Sequence, residues 1–459
     1  MTATEPDRAG LVGRASRALT APVDASSLIA FRIAFGALMA IAAVRFSAHG
    51  WIAEHYLEPT HFFHYAGFGW VRPLPGAGMY VCFALLGACA VAVAIGFCYR
   101  AAVLGLAVLF AYAHLCDKTN YLNHYYLLIL LALLLVVLPL GQVGSVDAWR
   151  RRRRGAPVPS TLPAWPIWVL RGQLALVYVY GGVAKLQPDW LVHAQPLDTW
   201  LAARPDVPLV GGLFAQPWAP QAVSWAAAIF DLTIAGWLLW PRSRRLAYPV
   251  VIAFHLLTAR LFHIGMFPWV MIALTPIFFA PDWPRRVLRL RQVAPGSPPP
   301  APPRRRARLL AAALVAYFAV QILFPLRFLL YPGNHLWTEQ GFRFAWKVMV
   351  MEKSGVADFV VRDPDTGREW RVPATDYWTR YQASMMATQP DMILEAAHVV
   401  ADDFRRRGVR APEVRADVLV SLNGRPRQRL VDPAVDLAAE RDGVAPYRWL
   451  LAAPEMDPP

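Results

Sequence analysis

Lysine is nearly missing from this chain. Of its 46 basic residues only Lys118, Lys185, Lys347 and Lys353 are lysine; the rest are arginine. Acidic residues are also few, 31 in all, which leaves a formal net charge of +15. Such an excess can mark a nucleic-acid binder. Here the arginines sit mostly in short loops between apolar runs, a pattern that orients membrane spans, so no nucleic-acid partner is expected. Cysteine is scarce as well. Cys82, Cys89, Cys98 and Cys116 all fall in the apolar, membrane half and none in the C-terminal domain, so no disulfide framework is expected there. The first 27 residues show no h-region and no small-residue cleavage site, so no signal peptide is expected. There is no Walker A loop, no G-x-S-x-G elbow and no dinucleotide fingerprint. His55, His61, His64, His255 and His263 fall into no HExxH or repeated ligand box, and CxxC is absent, so no metal is expected.

What the chain has is apolar surface. Hydrophobic residues make up 56% and aromatics 12%, with 18 tryptophans, and the mean hydropathy is +0.34. That is too apolar for an ordinary soluble protein and implies several spans, since a bilayer needs ~20 residues per helix. Apolar runs fall at about 28–48, 79–98, 101–116, 125–141, 165–186, 221–240, 246–262, 266–281 and 308–330. The arginine clusters before span one and after spans two, four, six and eight all fall on one side of such a nine-span chain, the side expected to be cytoplasmic. The expected fold is a membrane all-α bundle of about nine transmembrane helices with a C-terminal external α+β domain. Residues 1–27 form a cytoplasmic segment, 28–330 the membrane domain and 331–459 the external domain.

The last 130 or so residues carry strand and turn signals. Asp358–Arg362 and Glu369–Val372 flank Asp-Pro-Asp-Thr-Gly and predict a hairpin. Val414–Leu422 and Arg427–Val431 flank Asn423-Gly424 and predict a second. Trp378–Arg407 is amphipathic and predicts one helix. Ala294–Pro303 is Pro-rich and is expected to be a cytoplasmic linker.

Ionisable residues inside spans are costly and face a bundle interior. Arg32, Arg171, Lys185, Asp231, His255 and Arg260 qualify. Arg171 and Asp231 lie at similar depths from the inner ends of spans five and six, which predicts a structural ion pair. Lys185 closes span five after Gly181-Gly182 and has two readings. It snorkels to the interface with Asp189 at i+4 as partner, or it is a desolvated amine that works as a base, which arginine cannot do. Asn123 and His124 lie in a polar, aromatic patch expected on the same outer face.

Several stretches occur in the order of a known family. They are Asp117-Lys-Thr-Asn-Tyr-Leu-Asn-His-Tyr-Tyr-Leu127; Leu170-Arg-Gly-Gln173; Gly182-Val-Ala-Lys-Leu186 with Asp189-Trp190; and Asp231-Leu-Thr. Phe254-His255, Leu261-Phe-His-Ile-Gly-Met-Phe267 and Pro281-Asp-Trp-Pro284 follow. Asn334-His-Leu-Trp-Thr338, Phe344-Ala-Trp346 with Met349, and Val420-Ser-Leu-Asn-Gly-Arg-Pro-Arg-Gln-Arg429 complete the set. Over residues 28–435 the chain resembles the vitamin K-dependent γ-glutamyl carboxylase family, whose membrane part is also called the HTTM domain. The resemblance implies an enzyme using vitamin K hydroquinone, O2 and CO2, and no metal, on a glutamate-containing peptide or protein. Lys185 would deprotonate the quinol, an O2-derived alkoxide would abstract the glutamate γ-proton, CO2 would add, and the quinol would leave as its epoxide. His124, with Asn123, would assist around the carbanion. Tyr121, Arg171, His255, His263, Met266, Trp337, Phe344, Trp346 and Met349 would bind quinol or substrate. Two alternatives stand beside this: a quinol epoxidase without peptide carboxylation, and a quinone-binding membrane anchor for the external domain. The external domain is shorter than in the animal carboxylases, which weakens the substrate assignment more than the quinol assignment. The Ala, Arg and Pro bias suggests a bacterial inner membrane, with the N-terminus cytoplasmic and the C-terminal domain periplasmic.

Overall fold

The computed structural model describes residues 11–207, 211–262, 264–290 and 303–453. Helices occupy every apolar run. In order they are α1 (Ser26–Ala48), α2 (Gly78–Ile95), α3 (Tyr99–Leu115), α4 (Asn123–Val137), α5 (Trp165–Val183), α6 (Ala219–Leu239), α7 (Arg244–Leu261), α8 (Phe267–Leu274) and α9 (Arg304–Leu323). Four of the described helices are long and apolar enough to cross a membrane: α1, α2, α6, and α9 with its 3-10 extension to Leu330. α3, α4 and the segment Phe267–Phe278 are apolar but shorter. α5 carries Arg171, and α7 opens on Arg244 and Arg245. The nine expected spans thus match helices in position, while four of them reach spanning length and apolarity. The linker expected at 294–303 lies, but for Pro303, outside the described residues.

Two glycines set how the helices cross. A Cβ on Gly36 of α1 would sit 2.6 Å from the Ala94 nitrogen and 2.7 Å from the Ala90 oxygen, so α1 and α2 touch backbone to backbone. A Cβ on Gly182 of α5 would sit 2.8 Å from the Leu232 nitrogen of α6. Gly182→Val is expected to force α5 off α6 at a cost of about 1–3 kcal/mol. Thermal unfolding of the detergent-solubilised protein checks this, and an unchanged melting temperature would refute a tight crossing. Arg32 is buried beside the α1–α2 contact and donates to the carbonyls of Leu140 (2.8 Å) and Gly144 (2.6 Å). It thereby satisfies the chain just past α4, where helical bonding has stopped.

The C-terminal part is a four-stranded antiparallel sheet with one face covered by a helix. β1 (Pro22–Asp24) and β2 (Thr161–Pro163) are a separate pair at the start of the helical body. β3 (Lys353–Arg362), β4 (Glu369–Pro373), β5 (Glu413–Leu422) and β6 (Gln428–Arg429) form the sheet in the order β4-β3-β5-β6. β5 alternates buried and half-buried residues along its whole length, so one face is core. Phe359, Val361, Val418 and Val420 meet Leu394, Ala397 and Val400 there. Both predicted hairpins form, with Arg362 opposite Glu369 and Val420 opposite Gln428. The single helix expected over 378–407 is instead two, α10 (Arg380–Met386) and α11 (Pro390–Arg406). Pro390 is the cause: it disfavours helical backbone at the residue before it, and Gln389 is extended at φ −121°, ψ 108°.

The two parts are joined by buried ion pairs. Lys118, just past α3, reaches Asp391 (3.0 Å) and Glu395 (2.9 Å) on α11. Burial works against the Asp391 charge, but Arg343 and Lys118 outweigh it and hold this carboxyl below the usual range. Gln382 donates to Asp117 at 2.7 Å. Asp189 is fully buried and receives Arg425 Nη1 (2.9 Å), Arg425 Nη2 (2.7 Å) and Asn423 Nδ2 (2.7 Å). The Asn423-Gly424 turn, with positive φ at both residues (51° and 77°), therefore docks the sheet on the membrane body.

Candidate active site

Lys185 is placed by the way α5 ends. Pro188 favours extended backbone at Gln187 (φ −146°, ψ 153°), so the helix stops shortly before it. The Lys185 stem then folds back over the last turn, and Nζ donates to the Gly181 carbonyl at 3.1 Å. The same Nζ donates to Asp231 Oδ2 of α6 at 2.8 Å and lies 5.2 Å from the centre of the Trp190 ring. Lys185 is 4% exposed. Its amine opens on a cavity of about 390 Å³ between α5, α6, α7 and the chain that follows α9. The walls are mostly aromatic and aliphatic, with Phe230 stacked on Phe254 at 3.9 Å. Among the described residues the polar groups at the cavity are few: Lys185, Asp231, Tyr178, His255 and Thr258. The Tyr178 hydroxyl and His255 Nε2 are 3.1 Å apart, while His255 Nδ1 is buried with no partner.

The expected Arg171–Asp231 pair does not form. Arg171 donates to the carbonyls of Ile277 (2.9 Å), Phe278 (3.2 Å) and Phe279 (2.8 Å) at the end of the α8 segment. The reason lies in the crossing of α5 and α6. Gly182 against Leu232 brings residue 231 level with the last turn of α5, so depth counted from the helix ends misleads. Asp189 is likewise not the partner of Lys185, because Arg425 and Asn423 occupy it.

Other expected site residues are dispersed. His255 and Met349 line the cavity. Asn123 does not: its Nδ2 donates to the Lys347 carbonyl (3.3 Å) and its Oδ1 accepts from the Tyr121 hydroxyl (3.0 Å). Tyr121 in turn accepts from the Phe344 amide at 2.7 Å. His124 is buried one side chain behind the cavity, 6.2 Å from the ring centre of the cavity residue Phe267. Trp337 belongs to the core of the C-terminal domain and donates to the Leu451 carbonyl. Trp346 and Met266 belong to the core of the membrane body, and Phe344 packs on Tyr121 and Tyr126. None of these four is in the cavity wall. His263 lies outside the described residues. The residues that sequence reasoning passed over are Tyr178, Trp190 and Val348 at the cavity, and Asp231 as the partner of Lys185.

The rarity of lysine acquires a structural meaning. The side chains of Lys118, Lys185 and Lys353 are 4%, 5% and 2% exposed, and each meets a carboxylate. Lys347, also 4% exposed, rests instead over the Phe328 ring at 3.6 Å. Burial, with Arg327 nearby, pushes its ammonium down to about 7. Among the described residues, no three histidine, cysteine, aspartate or glutamate side chains gather to hold a metal ion.

Comparison with known proteins agrees with this division of the chain. No solved structure matches it significantly. Residues 20–283, more than half of the chain, match the family model of the HTTM domain. Residues 306–456 match that of the vitamin K-dependent gamma-carboxylase, lumenal domain. A helical membrane body with a buried lysine in an apolar cavity, followed by that second domain, leads to one assignment: the chain belongs to the vitamin K-dependent gamma-carboxylase family.

Proposed function

We propose that this protein oxidises a vitamin K-type hydroquinone and couples that oxidation to γ-carboxylation of a glutamate-containing peptide or protein. The observation that carries the reading is the Lys185–Asp231 pair, buried in an apolar cavity at the end of α5. The cavity suits a reduced naphthoquinone: aromatic walls fit a flat ring system, and Lys185, Tyr178 and His255 place polar groups at its edge. When bound, the hydroquinone supplies, on reaction with O2, the base that removes a glutamyl γ-proton, after which CO2 adds to the glutamyl carbanion.

The chain's own part is to take a proton and keep water out. Lys185 accepts the hydroxyl proton at Nζ, which requires a neutral amine. Asp231 Oδ2, 2.8 Å from Nζ, holds the amine in place at the cavity wall. The Gly181 carbonyl and the Trp190 face then receive the ammonium that results. Phe230, Phe254 and Phe267 exclude water that would quench strong bases. In this reading residues 28–330 form the membrane domain of about nine spans. Residues 331–459 face the periplasm of a bacterial inner membrane, and the N-terminus faces the cytoplasm.

A second reading, quinol epoxidation without carboxylation, is favoured by one observation. Asn123 and His124, the residues that would serve the carbanion, are outside the cavity wall. Purified protein supplied with reduced vitamin K, O2, labelled CO2 and a Glu-rich peptide separates the two. Epoxide with labelled peptide supports the first; epoxide with unlabelled peptide supports the second; no epoxide overturns both. Asp231→Asn is expected to lower epoxide formation by about 10²-fold. An unaltered rate would remove Asp231 from the reaction.

A further inference from the structure

A second cavity, of about 550 Å³, opens at the start of α3, beside the loop after α4 and the short helix Val146–Arg153. The helices fix its place. The other end of α3 leads to Asp117 and Lys118, which hold the C-terminal domain, and α4 begins at Asn123, bonded to Lys347. The second cavity is therefore one helix length, about 25 Å, from the C-terminal domain and from the quinol-site end of the body.

Its lining is cationic. Arg100, Arg150, Arg151 and Arg154 face it, with Asp147 as the one acid. Asp147 is already engaged, since its two oxygens accept the backbone N–H groups of Cys98 (2.9 Å) and Tyr99 (2.8 Å). No carboxylate among the described residues pairs with any of the four arginines. Two of them are held in place. Arg150 lies over the Phe97 ring at 4.5 Å, and Arg151 donates to the Gly141 carbonyl at 3.0 Å while its Nε is buried without an acceptor. A buried guanidinium donor with no acceptor is costly, and an anionic oxygen is the partner that satisfies it. The surroundings are apolar: Leu138 and Pro139 line the cavity, and Phe97, Val137 and Trp149 nearby are 36%, 40% and 52% exposed.

We infer that this cavity binds the phosphate headgroup of an anionic phospholipid, its acyl chains lying along the exposed apolar residues beside α3. A free phosphate ion would satisfy the arginines but leave the apolar edge uncovered. Basic pockets between membrane helices recognise anionic headgroups, at about 1 kcal/mol for each basic residue near the surface.

Cys98 makes the test direct, because it lines the cavity and is exposed, whereas Cys82 and Cys116 are buried and Cys89 is half-buried. The full chain is reconstituted in vesicles of phosphatidylcholine alone or with phosphatidylglycerol, and maleimide labelling of Cys98 is timed. Phosphatidylglycerol should slow labelling, and inorganic phosphate added to phosphatidylcholine vesicles should not. R150Q/R154Q should lose the protection, with headgroup affinity falling about fivefold per arginine, and R150K/R154K should keep most of it. Equal labelling of the wild type in both vesicles overturns the inference even if the variants misfold. Protection by inorganic phosphate, or full protection in R150Q/R154Q, overturns it too.

Discussion

Lys185→Ala is expected to lower epoxide formation by about 10²–10⁴-fold, the usual contribution of a positioned general base. Among the described residues only Lys185 brings an amine to the cavity wall; the other four polar residues there carry a carboxyl, a phenol, an imidazole and a hydroxyl. Lys185→Arg is expected to fail as well, because a guanidinium keeps its proton under all working conditions. The arginine variant keeps the ion pair with Asp231, so it separates loss of chemistry from loss of packing. The check is epoxide production from reduced vitamin K, read by chromatography, beside a melting curve for each variant. Wild-type epoxide rates in either variant would remove Lys185 from the mechanism.

Asp189→Ala is expected to be the most destabilising single substitution at the junction of the two parts. It leaves Arg425, 5% exposed, and Asn423, fully buried, without their shared carboxylate. Breaking a buried ion pair by removing one partner costs about 3–5 kcal/mol. The consequence should reach the active site. Asp189 is followed by Trp190, whose ring lies beside the Lys185 ammonium and whose Nε1 donates to the Ser224 carbonyl of α6 at 2.9 Å. Releasing Asp189 should therefore loosen the sheet and misplace the lysine together. Hydrogen exchange across residues 413–429 and thermal unfolding measure the first, and epoxide formation measures the second. Wild-type protection of those amides would show that the clamp does not hold the domain.

Much of the architecture could be read in advance, for physical reasons that are local. A helix in lipid must be apolar along its length, so helices appear where the apolar runs are, from Ser26–Ala48 to Arg304–Leu323. The strand pairs at 358–372 and 414–429 follow from alternation and from turn residues that accept positive φ. Pro390 in the amphipathic run was an available signal for the break between α10 and α11. The cavity walls were less accessible. Phe344, Trp346 and Met349 all have positive φ (60°, 54° and 51°), which turns side chains out of any regular alternation. Of these only Met349 reaches the cavity, with Val348 beside it.

Lysine scarcity, with its place at the end of an apolar run, singled out Lys185, because an arginine-rich chain that writes lysine needs an amine or a compact charge at that point. The sequence also settled the division into an apolar body and a strand-bearing C-terminal part, since both depend on composition over short windows. Only the tertiary structure decided the partners. Asp231 meets Lys185 rather than Arg171, and Asp189 meets Arg425 rather than Lys185. Those choices depend on where Gly182 lets α6 approach α5 and where the Asn423-Gly424 turn lands. Ion pairs form over about 3 Å, and a distance that short between residues far apart in sequence is set by helix crossings and domain docking.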